Sequence, residues 1–327
     1  EEKLAFGARL ALVEAATFGG FPEKALVAFG WCAAKSKKDP ETFQESHASL
    51  FSAIDLLWAY KWVTLQVPWY PQLTRAQMND TLDDMQQRYE RHRLSLRPVF
   101  MQRTRLTQEM GDDPELSMEW YRKWQWARRD RYADCQACEV NFQMQFHVDR
   151  DEHERALEIA QPLLNGTMSC AEVPHVTLAS LIGSVEQLGD TAKAREMFAR
   201  GYELVKTNRD FVGSIAEFVQ YLLSIDDLEQ AQTLLQRHFG WAVGNRIPHR
   251  VMVFERAARD LFGRLSGEVA IRLPETLPVF RADGRYDPKS LEAFFAERVA
   301  TTAAQFDARN GNDHVSQRMG VATPPTS

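Results

Sequence analysis

The residues best suited to chemistry are two cysteines three positions apart, Cys135 and Cys138, in the stretch DCQACEVN. The chain has four cysteines, and a third, Cys170, comes shortly before His175 in the stretch CAEVPH. Thiolates and neutral imidazoles are the ligands of tetrahedral structural zinc sites. These four residues therefore predict a zinc site with three sulfur ligands and one nitrogen ligand, Cys135, Cys138, Cys170 and His175.

The same residues are open to three other interpretations. A free cysteine is often only a small buried side chain, and a Cys-x-x-Cys pair can serve thiol redox chemistry, usually in a βαβ setting that this sequence lacks. Cys170 and His175 also have the residue types of a nucleophile and its base, but no oxyanion-stabilising group accompanies them. The zinc interpretation requires a fold that brings Cys138 and Cys170 together across 32 positions of sequence.

Composition narrows the class of protein. The 327 residues are 44% hydrophobic, which is enough for a large core, and the net charge of -6 gives no general attraction to nucleic acid. The most apolar run, residues 50–67, is interrupted by Asp55 and Lys61, so a buried helix is favoured over a membrane span. The N-terminal stretch lacks the pattern of a secretory signal and cysteines are few, so we expect a cytoplasmic location.

Aromatic and basic residues alternate in one segment, EWYRKWQWARRDRY, which covers residues 119–132. Such a mixture can hold single-stranded nucleic acid. However, Trp120, Trp124 and Ala127 share one face of a helix at this spacing, and the basic residues fall on the other faces. A buried face with a solvated basic face is therefore favoured, and nucleic-acid binding is not expected.

Apolar residues recur at helical spacing along most of the chain, as in LASLIGSVEQLG and SIAEFVQYLLSI, while glycine and proline separate these runs. A set of residues also recurs along the chain: Met118, Ala156, Ala194 and Ala231 are separated by 38, 38 and 37 positions. Small side chains at such positions let the two helices of a hairpin approach closely. The pattern predicts a repeated pair of helices.

The repeated unit resembles the tetratricopeptide repeat, whose unit is about 34 residues long. The segments from Leu178 and from Ile215 carry the residues that match the family spacing: Leu178, Leu181, Ile182, Val185, Gly189, Ala194, Phe198 and Gly201, then Ile215, Phe218, Val219, Leu222, Ala231 and Leu235. Ala156 and Ala160 match one unit earlier, and Ala25 matches near the N-terminus.

This resemblance implies an all-α fold, a right-handed α-solenoid of stacked helix hairpins with a C-terminal helical cap. It places the repeat array at residues 1–240, with the best repeats at 97–240. Capping helices and a proline-rich loop are expected at 241–315, and a flexible tail at 316–327. In the predicted stack, equivalent ends of neighbouring first helices lie side by side, which brings the three cysteines and His175 together.

The resemblance also implies a groove that binds a protein or peptide, lined by inward-facing residues of the first helices. These residues are Phe100, Arg103, Asn141, Gln145, Glu186 and Gln220. The function predicted is thus a non-enzymatic scaffold for a protein or peptide ligand. Two alternatives are a thiol-redox or other enzyme that uses Cys135 and Cys138, and a regulatory sensor whose shape changes when a peptide binds.

Overall fold

The protein is described by a computed structural model that covers residues 1–47, 51 and 53–321. The all-α prediction is confirmed, since helices account for nearly all regular structure in this part of the chain. Over the same residues, the β-structure consists of two short antiparallel strands, β1 (Val269–Ala270) and β2 (Arg285–Tyr286), in which Val269 pairs with Tyr286.

The chain forms two compact units. The first contains residues 1–133 and 305–314, and the second contains residues 134–304 and the chain from Val315 onward. The division thus falls inside the predicted array and away from residue 240. The reason is that the apolar core of the second unit continues without a break from Met144 to Phe295, through the helices expected to form a separate cap.

In its described residues, the first unit contains six α-helices and the end of a later one. They are α1 (Glu2–Phe18), α2 (Pro22–Lys38), α3 (Leu56–Gln66), α4 (Arg75–Arg91), α5 (Arg97–Glu109) and α6 (Pro114–Trp126). Helices α1 and α2 pack as one hairpin, and α5 and α6 as another. Helix α3 forms within the predicted apolar run, of which residues 50 and 52 lie outside the described part.

The second unit is a series of hairpins followed by further helices. Its members are α7 (Gln136–Val148), α8 (His153–Leu164), α9 (His175–Gln187), α10 (Thr191–Val205), α11 (Val212–Ser224), α12 (Leu228–Val243) and α13 (Pro248–Arg264). Two more helices follow, α14 (Pro288–Asn310) and α15 (His314–Arg318). Helices α7 and α8, α9 and α10, and α11 and α12 each pair closely. Along the series α9 contacts α7, α11 contacts α9, and α13 contacts α11.

Every hairpin has a buried small residue four positions after the N-cap of its second helix. The N-cap and small-residue pairs are Phe21 and Ala25, Asp113 and Ser117, Glu152 and Ala156, Asp190 and Ala194, and Asp227 and Ala231. The prediction of Met118 was therefore wrong by one position, because Ser117 is the buried residue and Met118 is half-buried. A small side chain here allows the first helix to approach closely.

The turns of four hairpins share a left-handed residue immediately before the N-cap of the second helix. This residue is Gly20, Asp151, Gly189 or Asp226, with φ between 58° and 79°. Glycine adopts this conformation without strain, and aspartate is among the few other residues that tolerate it. The chain therefore reverses direction over very few residues, which keeps the two helices of each hairpin antiparallel.

The end of the described chain is ordered into a short helix. The predicted flexible tail began at residue 316, yet Ser316 and Arg318 belong to α15, and Ser316 and Met319 are buried. Residues 322–327 of the predicted tail lie outside the described part. Among the described helices, none combines the length and the apolar character that crossing a bilayer requires.

Candidate metal centre

The three predicted cysteine ligands come from two neighbouring hairpins of the second unit. Cys135 is the N-cap of α7, and its Sγ accepts a hydrogen bond from the backbone N–H of Cys138, 3.3 Å away. Cys170 lies in the connection between α8 and α9, where its N–H donates to the carbonyl oxygen of Val173 at 2.9 Å. The capping contact turns both sulfurs of the Cys-x-x-Cys pair toward the same end of α7.

The fold brings these three thiols together, as the sequence predicted. The Sγ atoms of Cys138 and Cys170 are 3.3 Å apart, and all three Sγ atoms lie within 4.8 Å of one another. Cys135 is exposed, while Cys138 and Cys170 are half-buried. Three sulfur atoms at this separation can hold a metal ion, since thiolates bind at about 2.3 Å from zinc.

A small apolar cluster packs against two of the three thiols. Ala137, Leu163 and Val173 are buried there, and Cys138 and Cys170 pack against them. Burial raises the pKa of the Cys138 thiol well above its ordinary value, and the hydrogen bonds with Cys135 and Cys170 raise this pKa further. Without a metal, Cys138 is therefore a neutral thiol at neutral pH. A bound divalent cation favours the thiolate because it supplies the opposite charge.

His175 is not part of the cysteine group. Its imidazole stacks face to face on the ring of Phe211, with centroids 5.4 Å apart and planes 6° from parallel. Burial lowers the pKa of His175, and its Nδ1 is buried with no hydrogen-bond partner among the described residues. The prediction of His175 as the nitrogen ligand fails here, because the first residue of α9 faces the following hairpin.

The N-cap of α7 is a cysteine, Cys135, although an aspartate, Asp134, directly precedes it in the sequence. A sulfur atom replaces the oxygen that usually caps a helix. The signal for this is weak in the sequence, since aspartate is a far commoner capping residue than cysteine.

Two predicted groove residues, Phe100 and Arg103, lie on α5 of the first unit and both contact Trp120 of α6. The Phe100 ring stacks on the Trp120 ring at 5.9 Å, and the Arg103 guanidinium lies 5.1 Å from the same ring. Arg103 also forms an ion pair with Asp83 at 2.5 Å. In the same basic and aromatic segment, Trp124 is buried while Trp126 is 89% exposed.

The other four predicted groove residues belong to the second unit, and two of them bond across neighbouring first helices. Asn141 is buried and accepts a hydrogen bond from Thr177 Oγ1 at 2.7 Å, while Gln220 donates to Asp260 Oδ2 at 2.7 Å. Gln145 and Glu186 are half-buried. Asn141 therefore joins two helices and is not available to a ligand.

A further polar contact, which the sequence did not predict, joins the two middle first helices, α9 and α11. Ser180 of α9 donates to Glu217 Oε2 of α11 at 3.4 Å. The pKa of Glu217 is raised to about 7, mainly by burial and in part by Asp149, while the Ser180 hydrogen bond and Arg318 act to lower it. The three contacts join residues 36, 37 and 40 positions apart. The recurrence of polar residues at the repeat spacing is the feature of the sequence that could have predicted these contacts.

In comparisons with known proteins, no family model, curated protein or solved structure matches the chain.

Proposed function

We propose that this chain is a non-enzymatic repeat scaffold of the tetratricopeptide type that binds a protein or peptide. We also propose that its three clustered cysteines bind zinc and fasten two neighbouring hairpins together. A cytoplasmic setting fits this function, because a reducing compartment keeps the thiols available for metal.

The observation that carries the scaffold proposal is the serial packing of hairpins in the second unit. The first helices α7, α9, α11 and α13 contact one another in order, and each second helix also contacts the first helix that follows. Ala156, Ala194 and Ala231 are fully buried at equivalent positions. Stacked helix pairs of this kind present the row of first helices as an extended binding surface.

We propose further that the stack coils in the right-handed sense of the family and that the last helices cap it. The cap is supported by burial along α13 and α14. Phe254 and Phe262 on α13 and Phe295 on α14 are fully buried, and Phe295 packs 5.7 Å from Phe239 of α12. A terminal repeat exposes apolar surface unless such an element covers it.

For the metal, the donor set favours zinc. Three thiolates suit a soft or borderline cation, and zinc prefers four ligands in a tetrahedron. Cys135, Cys138 and Cys170 supply three of them. Because His175 lies elsewhere, the fourth ligand comes from solvent or from a bound partner, so the site differs from a fully closed structural one. Zinc would tie the start of α7 to the loop before α9.

Metal analysis of the purified protein tests this proposal. We expect about one zinc per chain in the natural sequence and loss of the metal in Cys138→Ser. A metal present at 100 to 1,000 times its dissociation constant adds about 3 to 4 kcal/mol to stability, and the variant should lose that amount in denaturant titration. Cys32→Ser is the matched control, because Cys32 is a buried thiol in the first unit.

Retention of zinc by Cys138→Ser, or unfolding of that variant at the same denaturant concentration as the natural chain, contradicts the zinc proposal. Plain buried thiols would then be the better description of the cluster.

A thiol-redox function is the second candidate, and the 3.3 Å separation of the Cys138 and Cys170 sulfurs favours it. A disulfide requires the sulfurs to close to about 2.05 Å. The two thiols would lose two protons and pass two electrons to an oxidant such as glutathione disulfide. Incubation with glutathione disulfide and mass analysis tests this. If zinc prevents disulfide formation until a chelator is added, the redox function is contradicted.

Selection of binders to the purified protein from a displayed peptide library tests the binding function. We expect captured peptides whose binding weakens in Gln145→Ala and Glu186→Ala, since the resemblance points these residues toward the ligand. Gln187→Ala is the control because its side chain is exposed next to Glu186. Asn141 is unsuitable for this test, as its buried amide joins α7 to α9. A chain that captures no peptide contradicts the scaffold proposal.

A further inference from the structure

A cavity of about 240 Å³ lies in the second unit, between α12, α13, α14 and the loop that joins β1 to β2. Each of the three helices contributes one buried phenylalanine to its wall, namely Phe239, Phe254 and Phe295. The cavity is open to solvent at its edge, because the lining residues also include the exposed Val243 and Pro278. A small molecule can therefore enter from solvent and contact an apolar wall.

The three phenylalanines pack against one another in this wall. The rings of Phe239 and Phe254 meet edge to face with their centroids 5.4 Å apart, and the ring of Phe295 lies 5.7 Å from that of Phe239. Aromatic rings prefer edge or offset contacts with further rings, and they also pack well with aliphatic groups. The wall therefore suits the apolar part of a ligand.

Two side chains of opposite charge line the same cavity. Glu255 of α13 accepts a hydrogen bond at Oε1 from Nε of Arg298 on α14, at 2.6 Å. The Glu255 side chain is 7% exposed, whereas that of Arg298 is 41% exposed. Burial raises the pKa of Glu255, and Arg298 acts to lower it. A positively charged ligand group beside Glu255 would stabilise the carboxylate further.

The ion pair uses only part of the bonding capacity of these two side chains. A carboxylate offers about four acceptor sites, and a guanidinium has five N–H donors. Among the described residues, the bond between Nε and Oε1 is the one hydrogen bond that either side chain makes. An apolar cavity with a few polar groups in its wall is the usual form of a site for a small molecule.

We propose that this cavity binds a free hydrophobic amino acid. The ammonium group of the ligand donates to Glu255, its carboxylate accepts from Arg298, and its side chain packs on the three phenylalanines. The volume equals that of roughly eight water molecules at about 30 Å³ each, which suits a ligand of the size of leucine or phenylalanine. This site goes beyond the scaffold function and includes none of the cysteines.

Isothermal titration calorimetry of the purified protein with L-leucine and L-phenylalanine tests the proposal. We expect at least one of them to bind with a dissociation constant of about 1 mM or lower. Two analogues each remove one charge of the ligand, since leucine amide lacks the carboxylate and N-acetyl-leucine lacks the ammonium group. Each should bind at least about tenfold more weakly than leucine, because it loses a hydrogen bond to a charged side chain.

Glu255→Gln tests the same contact from the side of the protein. The substitution keeps the size of the side chain and removes its charge, so leucine should bind at least about tenfold more weakly. Glu297→Gln is the matched control, because Glu297 is exposed on α14 next to Arg298 and does not line the cavity. The two analogues are measured on the natural chain, so the test remains decisive if Glu255→Gln folds poorly.

Failure of both amino acids to bind overturns the inference. It is also overturned if leucine amide or N-acetyl-leucine binds as tightly as leucine, or if the natural chain and a folded Glu255→Gln variant bind leucine equally. The scaffold proposal is tested separately by peptide capture, so either proposal can fail while the other stands.

Discussion

At the scale of single residues, the fold depends on where small side chains and cysteines are placed. Gly201 of α10 shows why size matters: a Cβ at this position would lie 2.5 Å from the Phe218 ring of α11 and 3.1 Å from Cβ of Leu178 on α9. The repeat spacing predicted a small residue at this position, and the structure confirms close approach there. Packing at this density leaves no room for a methyl group.

Gly201→Ala should therefore destabilise the protein. The added methyl group must push the Phe218 ring away from its packed position, and overpacking of this kind costs about 1 to 3 kcal/mol. Equilibrium unfolding in urea measures the change. Gly240→Ala on α12 is the matched control, since its added Cβ meets nothing within 4 Å and alanine favours a helix by up to about 1 kcal/mol. Equal stability of the two variants would contradict the close approach at Gly201.

At the scale of elements, the hairpin turns determine how the helices are paired. Gly189 has a φ of 79° and stands between α9 and the N-cap Asp190, whose side chain accepts from the N–H of Lys193 at 3.1 Å. One left-handed residue followed by a capping aspartate ends one helix and begins the next. The sequence indicates this turn clearly because glycine and aspartate are adjacent. At Asp151 and Asp226 the same turn uses aspartate, and the signal is weaker.

Gly189→Ala measures the contribution of the left-handed backbone conformation at this turn to the stability of the protein. No atom lies within 4 Å of the added Cβ, so the effect comes from the left-handed conformation, which costs an L-residue about 1 to 2 kcal/mol. Thermal unfolding should show a loss of that size. Gly183→Ala is the counterpart inside α9, also in open space, and should be neutral or mildly stabilising. A tolerated Gly189→Ala would indicate that the turn relaxes.

At the scale of the whole molecule, the balance of buried charges determines how stability depends on pH. The carboxyl group of Glu217 has a pKa of about 7 in the folded chain, raised by burial from 4.5. Below about pH 4.5 the group is protonated in both folded and unfolded chains. Between about pH 4.5 and 7 only the folded chain keeps the proton, so stability falls as pH rises through this window.

Glu217→Gln should remove this dependence. We expect the variant to be about 1 to 3 kcal/mol more stable than the natural chain at pH 8, and little changed at pH 4. Urea titrations at several pH values measure the difference. Glu203→Gln, at an exposed ion pair with Lys206, should show no such trend. A difference independent of pH would contradict the raised pKa.

The sequence by itself determined the class of fold and the repeated helix pairs. Periodic apolar residues and small residues near positions 156, 194 and 231 are local signals. The helix period and the distance between two paired helices both depend on residues that are close together in the sequence. It also indicated that Cys135, Cys138 and Cys170 meet, since a stack of equal repeats places equivalent helix ends side by side.

Only the tertiary structure decided which side chains complete each site. His175 turns to Phe211 rather than to the cysteines, and Asn141 is buried against Thr177 rather than open to a ligand. The position of Arg318 beside Asp149, 169 residues earlier in the chain, is likewise invisible to any local pattern. The direction of a side chain depends on the helix rotation that packing selects, and contacts between distant residues depend on how the whole chain returns on itself.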